Sequence, residues 1–213
     1  FSLAGTLGLG KLIVLYDSNQ ISIEGDTDIT FTEDVQKRME AFGFQTLLVE
    51  DGNDLEAIGK AIEEAKAEKS KPSFITIKTQ IGYGCPAKQG KASAHGEPLG
   101  IENVKALRET LGWPYEEAFY VPDEVYEHFH KISEENNKKE DEWFHNFAEY
   151  CIQYPDMLEL WNRYFQKDFG EKVIDHEEFW HYENKDDSTR NISGKILNKI
   201  KELVPNLIGG AAD

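Results

Sequence analysis

The sequence predicts an α/β fold, a mostly parallel sheet with helices on both faces, followed by a helical and acidic linker region. Three observations predict it. Apolar runs of strand length stand at 11–16, 44–49 and 73–78. Segments of helical period separate them, so strands and helices alternate, the pattern of a parallel sheet with crossover helices. After Gly100 the helical period dominates and the strand signals stop.

Each element follows in order. The run Lys11-Leu-Ile-Val-Leu-Tyr16 reads as a buried strand that stops at Asp17-Ser-Asn19. A helix is expected from Thr30 or Thr32 through Phe42, because Thr30-x-x-Glu33 has the form of a capping box and Gly43 suits a helix end. Phe44 opens the second strand, and Asp51-Gly-Asn-Asp54 caps a helix whose Leu55, Ile58, Ile62 and Ala65 share one face. Pro72 ends that helical unit and the third strand follows. A long loop from Ile81 to Gly100 then leads to a helix at 101–111 closed by Gly112. Further helices are expected from about Pro122-Asp123 and, separately, from about Ser133, with a break at Pro155 and a last helix near 189–203. Between Lys167 and Asp187 eight carboxylates face three lysines, the composition of an exposed linker, although Phe169, Phe179, Trp180 and Tyr182 make it too aromatic for a free tether.

Composition bounds the function. The 213 residues carry 40 Asp and Glu against 23 Lys and Arg, a formal charge of −17. That balance argues against nucleic acid as a partner, which needs a basic face. No apolar run is long enough for a membrane span, so no membrane partner is expected. Cys85 and Cys151 are too few for a disulfide framework or a four-cysteine metal site, which fits a reducing, cytoplasmic compartment.

In an open α/β sheet, ligands bind beyond the carboxyl ends of the strands. The first such end, Asp17-Ser-Asn19-Gln-Ile21, offers side-chain and backbone oxygens of the kind magnesium or calcium takes, and it equally suits an ordinary Asx turn. At Ile81-Gly-Tyr-Gly84 the glycines permit close backbone approach to a ligand. Ala94-His95-Gly96 places an imidazole among small residues, where it is either a solvent-facing loop histidine or a group that shuttles protons or donates to a phosphate. His128 and His130 lie two apart on a helix and face different ways, so they are no zinc pair. Gly5-x-x-Gly8-x-Gly10 precedes its strand instead of following it, and so is no dinucleotide fingerprint. Neither a phosphate-loop motif nor a Gly-x-Ser-x-Gly elbow is present.

The stretch from Ser2 to Gly25, with Asp17-Ser-Asn19-Gln-Ile-Ser-Ile-Glu-Gly25 at its end, resembles the second half of the thiamine-diphosphate motif as transketolases write it. Ile81-Gly-Tyr-Gly-Cys-Pro and Ser93-Ala-His95-Gly-Glu-Pro-Leu-Gly100 resemble two further transketolase signatures, in the family's order and near its spacing. Ser188-Thr-Arg190-Asn and Leu207-Ile-Gly-Gly-Ala-Ala-Asp213 are similar to the junction into that family's pyrimidine-binding domain. The resemblance is strong over about 1–135 and 186–213 and weak in the acidic connection.

The resemblance implies a thiamine-diphosphate-binding fold divided into a diphosphate-binding domain at 1–135, a linker at 136–187 and the start of a pyrimidine-binding domain at 188–213. It implies an enzyme that transfers a two-carbon ketol unit from a ketose phosphate to an aldose phosphate through a thiamine-diphosphate carbanion, as in the pentose phosphate pathway. Asn19, through its side-chain oxygen, and Ile21, through its carbonyl, would hold the divalent metal, magnesium or calcium, that bridges the diphosphate. Ile81 and Asp213 would lie against the cofactor. His95 would contact diphosphate and donor hydroxyls and is the candidate for proton transfer, while Arg190 would bind the sugar phosphate. Asn191 stands where many relatives carry a basic residue. A homodimer with sites at its interface is implied as well. The chain starts at Phe1 without an initiator Met, and neither the family's Gly-Asp-Gly aspartate nor the glutamate of its pyrimidine-binding domain is found, so the resemblance makes this a middle segment, inactive alone. Dihydroxyacetone synthase, or a non-catalytic split subunit of the same fold, is the alternative.

Overall fold

A computed structural model describes residues 1–165, 175, 177–182 and 185–210. It divides into two units, Phe1–Tyr120 and Val121–Asp213.

The first unit is built on three parallel strands. These are β1 (Ile13–Ser18), β4 (Gln45–Val49) and β5 (Ser73–Lys78), in the order β1-β5-β4, with a small antiparallel ladder of β2 (Ile21–Ser22) and β3 (Gly25–Asp26) following β1. The strand that comes last in the sequence thus lies in the middle, pairing Ile13 with Ser73 on one side and Gln45 with Ser73 on the other. Its sequence explains the placement. Residues Ser73 to Ile77 are all buried, the pattern of a strand covered on both faces.

Alternation along the strands sorts the core into two layers. On one face Ile75, Ile77 and Val49 pack with Ala61 and Ala65 of α3 (Leu55–Ala67), and Ile58 and Ile62 join them half-buried. On the other face Phe74 and Phe44 pack with Met39 of α2 (Val35–Ala41), joined by Val14 and Tyr16 of β1 and Ala4 of the short α1 (Ser2–Thr6). The fold class is therefore the expected one. The glycines before β1 serve packing, since a Cβ on Gly5 would stand 1.6 Å from the Phe42 carbonyl oxygen and one on Gly10 would stand 2.0 Å from that of Lys69.

Several local expectations need correction. β1 begins at Ile13, two residues after Lys11, and extends through Ser18. The helix expected from Thr30 or Thr32 begins at Val35, and residues Thr27–Ile29 form a single 3-10 turn. The reason is a competing cap: the Asp34 carboxylate accepts from the Lys37 backbone N–H at 3.1 Å, while Glu33 pairs with Arg38 instead of closing a box on Thr30. Leu55 is 79% exposed, so the packed stripe of α3 starts at Ala57. The Asp54 cap is as expected, with its carboxylate accepting from the Ala57 N–H at 2.9 Å. After the loop, α4 (Ile101–Leu111) ends at Gly112.

The second unit is helical. One continuous helix, α5 (Asp123–Gln153), replaces the two expected from Pro122 and Ser133, because no helix breaker separates them. The expected boundary between 135 and 136 falls inside it. Pro155 opens α6 (Pro155–Phe165), where its missing N–H costs nothing, and the aromatic rings of Trp143, Phe147 and Trp161 join the two helices. The last helix, α7 (Thr189–Leu203), is capped by Ser188. Much of the acidic stretch 167–187 lies outside the described residues. The part at Glu177–Trp180 forms a 3-10 turn, and the segment to Tyr182 is pinned on α7 by Lys199, whose ammonium donates to the Phe179 and His181 carbonyls at 3.1 and 2.6 Å and lies 3.8 Å from the Tyr182 ring centroid. Among the described residues no helix is long and apolar enough to cross a membrane.

Candidate functional site

The register of β1 on β5 pairs Ser18 with Lys78, so the loops after both strands leave the sheet side by side. Two contacts lock them together. The Thr79 N–H donates to the Ser18 carbonyl at 3.3 Å, and the Thr79 hydroxyl donates to the Asp17 carboxylate. The end of β4 joins the same edge, where the Gly52 N–H donates to the Lys78 carbonyl at 2.8 Å and the Glu50 carboxylate pairs with the Lys78 ammonium at 2.5 Å. Three carboxyl ends thus converge, as a ligand site in such a sheet requires.

Asn19 is half-buried, and its side-chain oxygen accepts from the Ile21 N–H at 3.0 Å, an Asx turn. The turn drives Gln20 to φ 63°, a left-handed conformation that costs about 1–2 kcal/mol outside glycine. Bonds on both sides offset that strain: the Gln20 carbonyl accepts from the Thr27 N–H at 2.9 Å, and the Ser22 hydroxyl donates to the Gly25 carbonyl at 2.9 Å. An amide oxygen has two lone pairs, so Asn19 keeps one for a cation after the turn is made. The donors here are neutral hard oxygens. Among the described residues no group of three His, Cys, Asp or Glu is placed to hold a metal, and the oxygens at this turn are of the hard kind that magnesium or calcium takes.

The second loop starts at Ile81, which is half-buried and whose carbonyl accepts from the Gly90 N–H at 2.8 Å. Gly82 has φ +66°, and a Cβ there would stand 3.1 Å from that of Ala94, so its bare backbone brings the Ile81 segment against the turn that carries His95. Gln89 ties the loop internally, its side-chain oxygen accepting from the Gly84 N–H at 2.7 Å and its amide donating to Gln80 at 2.5 Å. Cys85, fully buried, anchors the middle and is a free thiol. His95 ends a 3-10 turn at Ala92–Ala94, with its N–H donating to the Ala92 carbonyl at 2.9 Å, and its side chain is exposed. Asn19, Ile21, Ile81 and His95 therefore all belong to the segments that follow β1 and β5 in one unit.

Arg190 belongs to the other unit. It lies exposed in the first turn of α7 and lines a cavity of about 940 Å³ with Trp180, Tyr182 and Lys185. The turn before it is tied by Asp187, whose carboxylate accepts from the Lys195 ammonium at 2.7 Å, the Asn191 amide at 2.7 Å and the Ser188 N–H at 2.8 Å. These partners, Lys195 first, hold the Asp187 carboxyl below its ordinary range. Asn191 thus works as a tie in the helix start. Asp213 lies outside the described residues. Sequence reasoning passed over Thr79, Lys88 and Gln89, which build these loops; their only signal is a polar side chain in or beside a glycine-rich connection too long to hold itself together.

Comparison with known proteins agrees with this fold. Residues 1–169 match the family described as "Transketolase, thiamine diphosphate binding domain". Over 217 aligned residues the whole chain is 44% identical to 32% of the transketolase of Bacillus subtilis (strain 168), and over 216 it is 45% identical to 41% of the chloroplastic transketolase of Craterostigma plantagineum. The chain thus spans about a third of the length of the curated relatives it matches. Among solved structures, the transketolase of Pichia stipitis in complex with sedoheptulose-7-phosphate superposes at a TM-score of 0.82 with 38% identity, over 100% of this chain and 31% of that one. The transketolase from Leishmania mexicana does so at 0.82 with 33% identity, over 100% and 31%. The chain belongs to the family of the transketolase thiamine-diphosphate-binding domain.

Proposed function

We propose that this chain supplies the diphosphate-binding part of a transketolase, which moves a two-carbon ketol unit between sugar phosphates. The observation that carries the reading is the convergence of the Asn19–Ile21 turn and the Ile81–Gly84 loop on one carboxyl edge of a parallel sheet, in a chain 44% identical along its whole length to a transketolase. A solved relative named as a complex with sedoheptulose-7-phosphate supports sugar phosphates as the substrate class.

Thiamine diphosphate, when bound, supplies the nucleophilic carbon that accepts the ketol unit. The chain's own residues bind and orient. The remaining lone pair of Asn19 and the Ile21 carbonyl would hold a divalent cation, magnesium or calcium, that neutralises the diphosphate. On a chain of charge −17 that cation is what makes a diphosphate tolerable. Ile81 gives the cofactor an apolar wall. His95, whose side chain is exposed, would donate to the diphosphate and donor hydroxyls and move a proton at its imidazole nitrogen. Arg190 grips the sugar phosphate with its planar fork. The division into a diphosphate-binding domain at 1–135, a linker at 136–187 and the start of a pyrimidine-binding domain from 188 belongs to the same proposal. So do the contact of Asp213 with the cofactor, a homodimeric assembly, a place in the pentose phosphate pathway and a cytoplasmic location, the last in keeping with two free cysteines.

Arg190→Ala, made in the enzyme that carries this chain, tests the reading. Loss of a charge-assisted bidentate contact is worth about 1.5–3 kcal/mol, so KM for phosphorylated ketoses should rise roughly 10- to 100-fold while KM for unphosphorylated ones stays put. Equal effects on both substrate types would overturn the assignment.

A further inference from the structure

His95 sits in a connection that has almost no secondary structure of its own, yet a proton-transfer group must be held to within a fraction of an ångström. Lys88 supplies the hold. Its backbone is fixed first, because the Lys88 and Gln89 N–H groups donate to the carbonyl of fully buried Cys85 at 3.1 and 2.8 Å. Its side chain, only 16% exposed, then crosses to the histidine segment. There the ammonium donates to the Ser93 carbonyl at 3.1 Å and to the Pro98 carbonyl at 3.3 Å, and stands 3.6 Å from the Glu97 carboxylate. The two carbonyls lie on either side of His95 in the chain, so one ammonium closes the segment 93–98 into a ring with the imidazole on it. The three N–H donors of an ammonium suit this junction, and their bonds are charge-assisted and little screened at such low exposure. Gly82 completes the arrangement by letting Ala94 approach it.

We propose that Lys88 is a positioning residue for His95, acting through the Ser93 and Pro98 carbonyls and touching neither cofactor nor substrate. The inference rests on the transketolase reading for the role of His95, but the hold itself does not. In the full-length protein, Lys88→Met should lower kcat for ketol transfer by about tenfold or more, with a several-fold smaller effect on donor KM and on the affinity for thiamine diphosphate with magnesium, which other residues also hold. Lys88→Arg, whose fork also reaches two carbonyls, should restore most of kcat, and Glu97→Gln should leave it unchanged because both carbonyl bonds remain. In histidine-labelled protein without cofactor, the His95 ring resonance should shift and broaden in Lys88→Met and return to the wild-type position in Lys88→Arg. An unchanged kcat and an unchanged His95 resonance in Lys88→Met would overturn the proposal. So would a joint loss of turnover, cofactor affinity and fold that arginine does not rescue, which would make Lys88 a structural residue only. Wild-type protein without ketol transfer would instead defeat the functional reading, and the His95 resonance would still decide the hold.

Discussion

At the scale of single residues, polar side chains here do two tasks with one atom. The Asn19 oxygen closes an Asx turn on Ile21 and still has a lone pair for a cation, so the bland and the functional readings of that motif were never alternatives. Asp187 is a comparable case at the start of α7. Its carboxylate collects Lys195, Asn191 and Ser188 one turn from Arg190, and all of these stabilise the charged form. The folded-state pKa is therefore lowered below the ordinary 3.8, and the sign follows. The stabilisation is fully present above that ordinary value and is lost as the pH falls through the lowered one. Asp187→Asn should accordingly reduce the thermal stability of the second unit at pH 7, and the loss should shrink between pH 7 and pH 3 as the wild-type carboxyl begins to take up its proton. Thermal scans by circular dichroism at both pH values check this, and an equal loss at both would assign the effect to the shape of the amide.

At the scale of elements, apolar runs and caps were legible because each is decided locally. The strand 73–78 appeared at its expected bounds, and the Asp54 cap of α3 was readable from Asp51-Gly-Asn-Asp54 alone. What failed was competition between equal signals. Thr30, Thr32 and Asp34 all make acceptable caps, and tertiary packing of Val35 and Met39 on the sheet decided for Asp34. Periodicity likewise put Leu55 in the core stripe without knowing where the helix meets the sheet. The two readings of Leu55 differ in stability by an amount that is easy to measure. Ile75→Ala, at a side chain with no exposed surface, should cost about 2–5 kcal/mol. Leu55→Ala should stay within about 0.5 kcal/mol, because the side chain is 79% exposed. Urea unfolding of both variants tests the pair, and a Leu55 effect near that of Ile75 would restore it to the core.

At the scale of the whole chain, the site was legible only where a motif lies on one loop. Asn19, Ile21, Ile81 and His95 could be named because each sits in a short signature, whereas Asp17 with Thr79 and Lys88 with Pro98 are pairings that close only in space. The same distinction separates the two units energetically. Every described residue of the buried core, from Met39 to Cys85, lies in the first unit. The helices α5, α6 and α7 hold no fully buried residue among those described, although α5 alone runs 31 residues. Length does not substitute for burial, since helical stability in proteins comes mainly from packing an apolar face. Native-state hydrogen exchange on this 213-residue chain should therefore find its slowest amides in β5 and in the strands on either side of it. Amides along α5 should exchange through local opening at least tenfold faster, a gap of about 1.4 kcal/mol in opening free energy. In a longer polypeptide, any partner surface that covers the aromatic side chains Trp143, Phe144 and Phe165 should narrow that gap, because those rings are half or more exposed here. Equal protection of α5 and β5 in the isolated chain would show that the helical unit is stabilised by contacts other than a buried core.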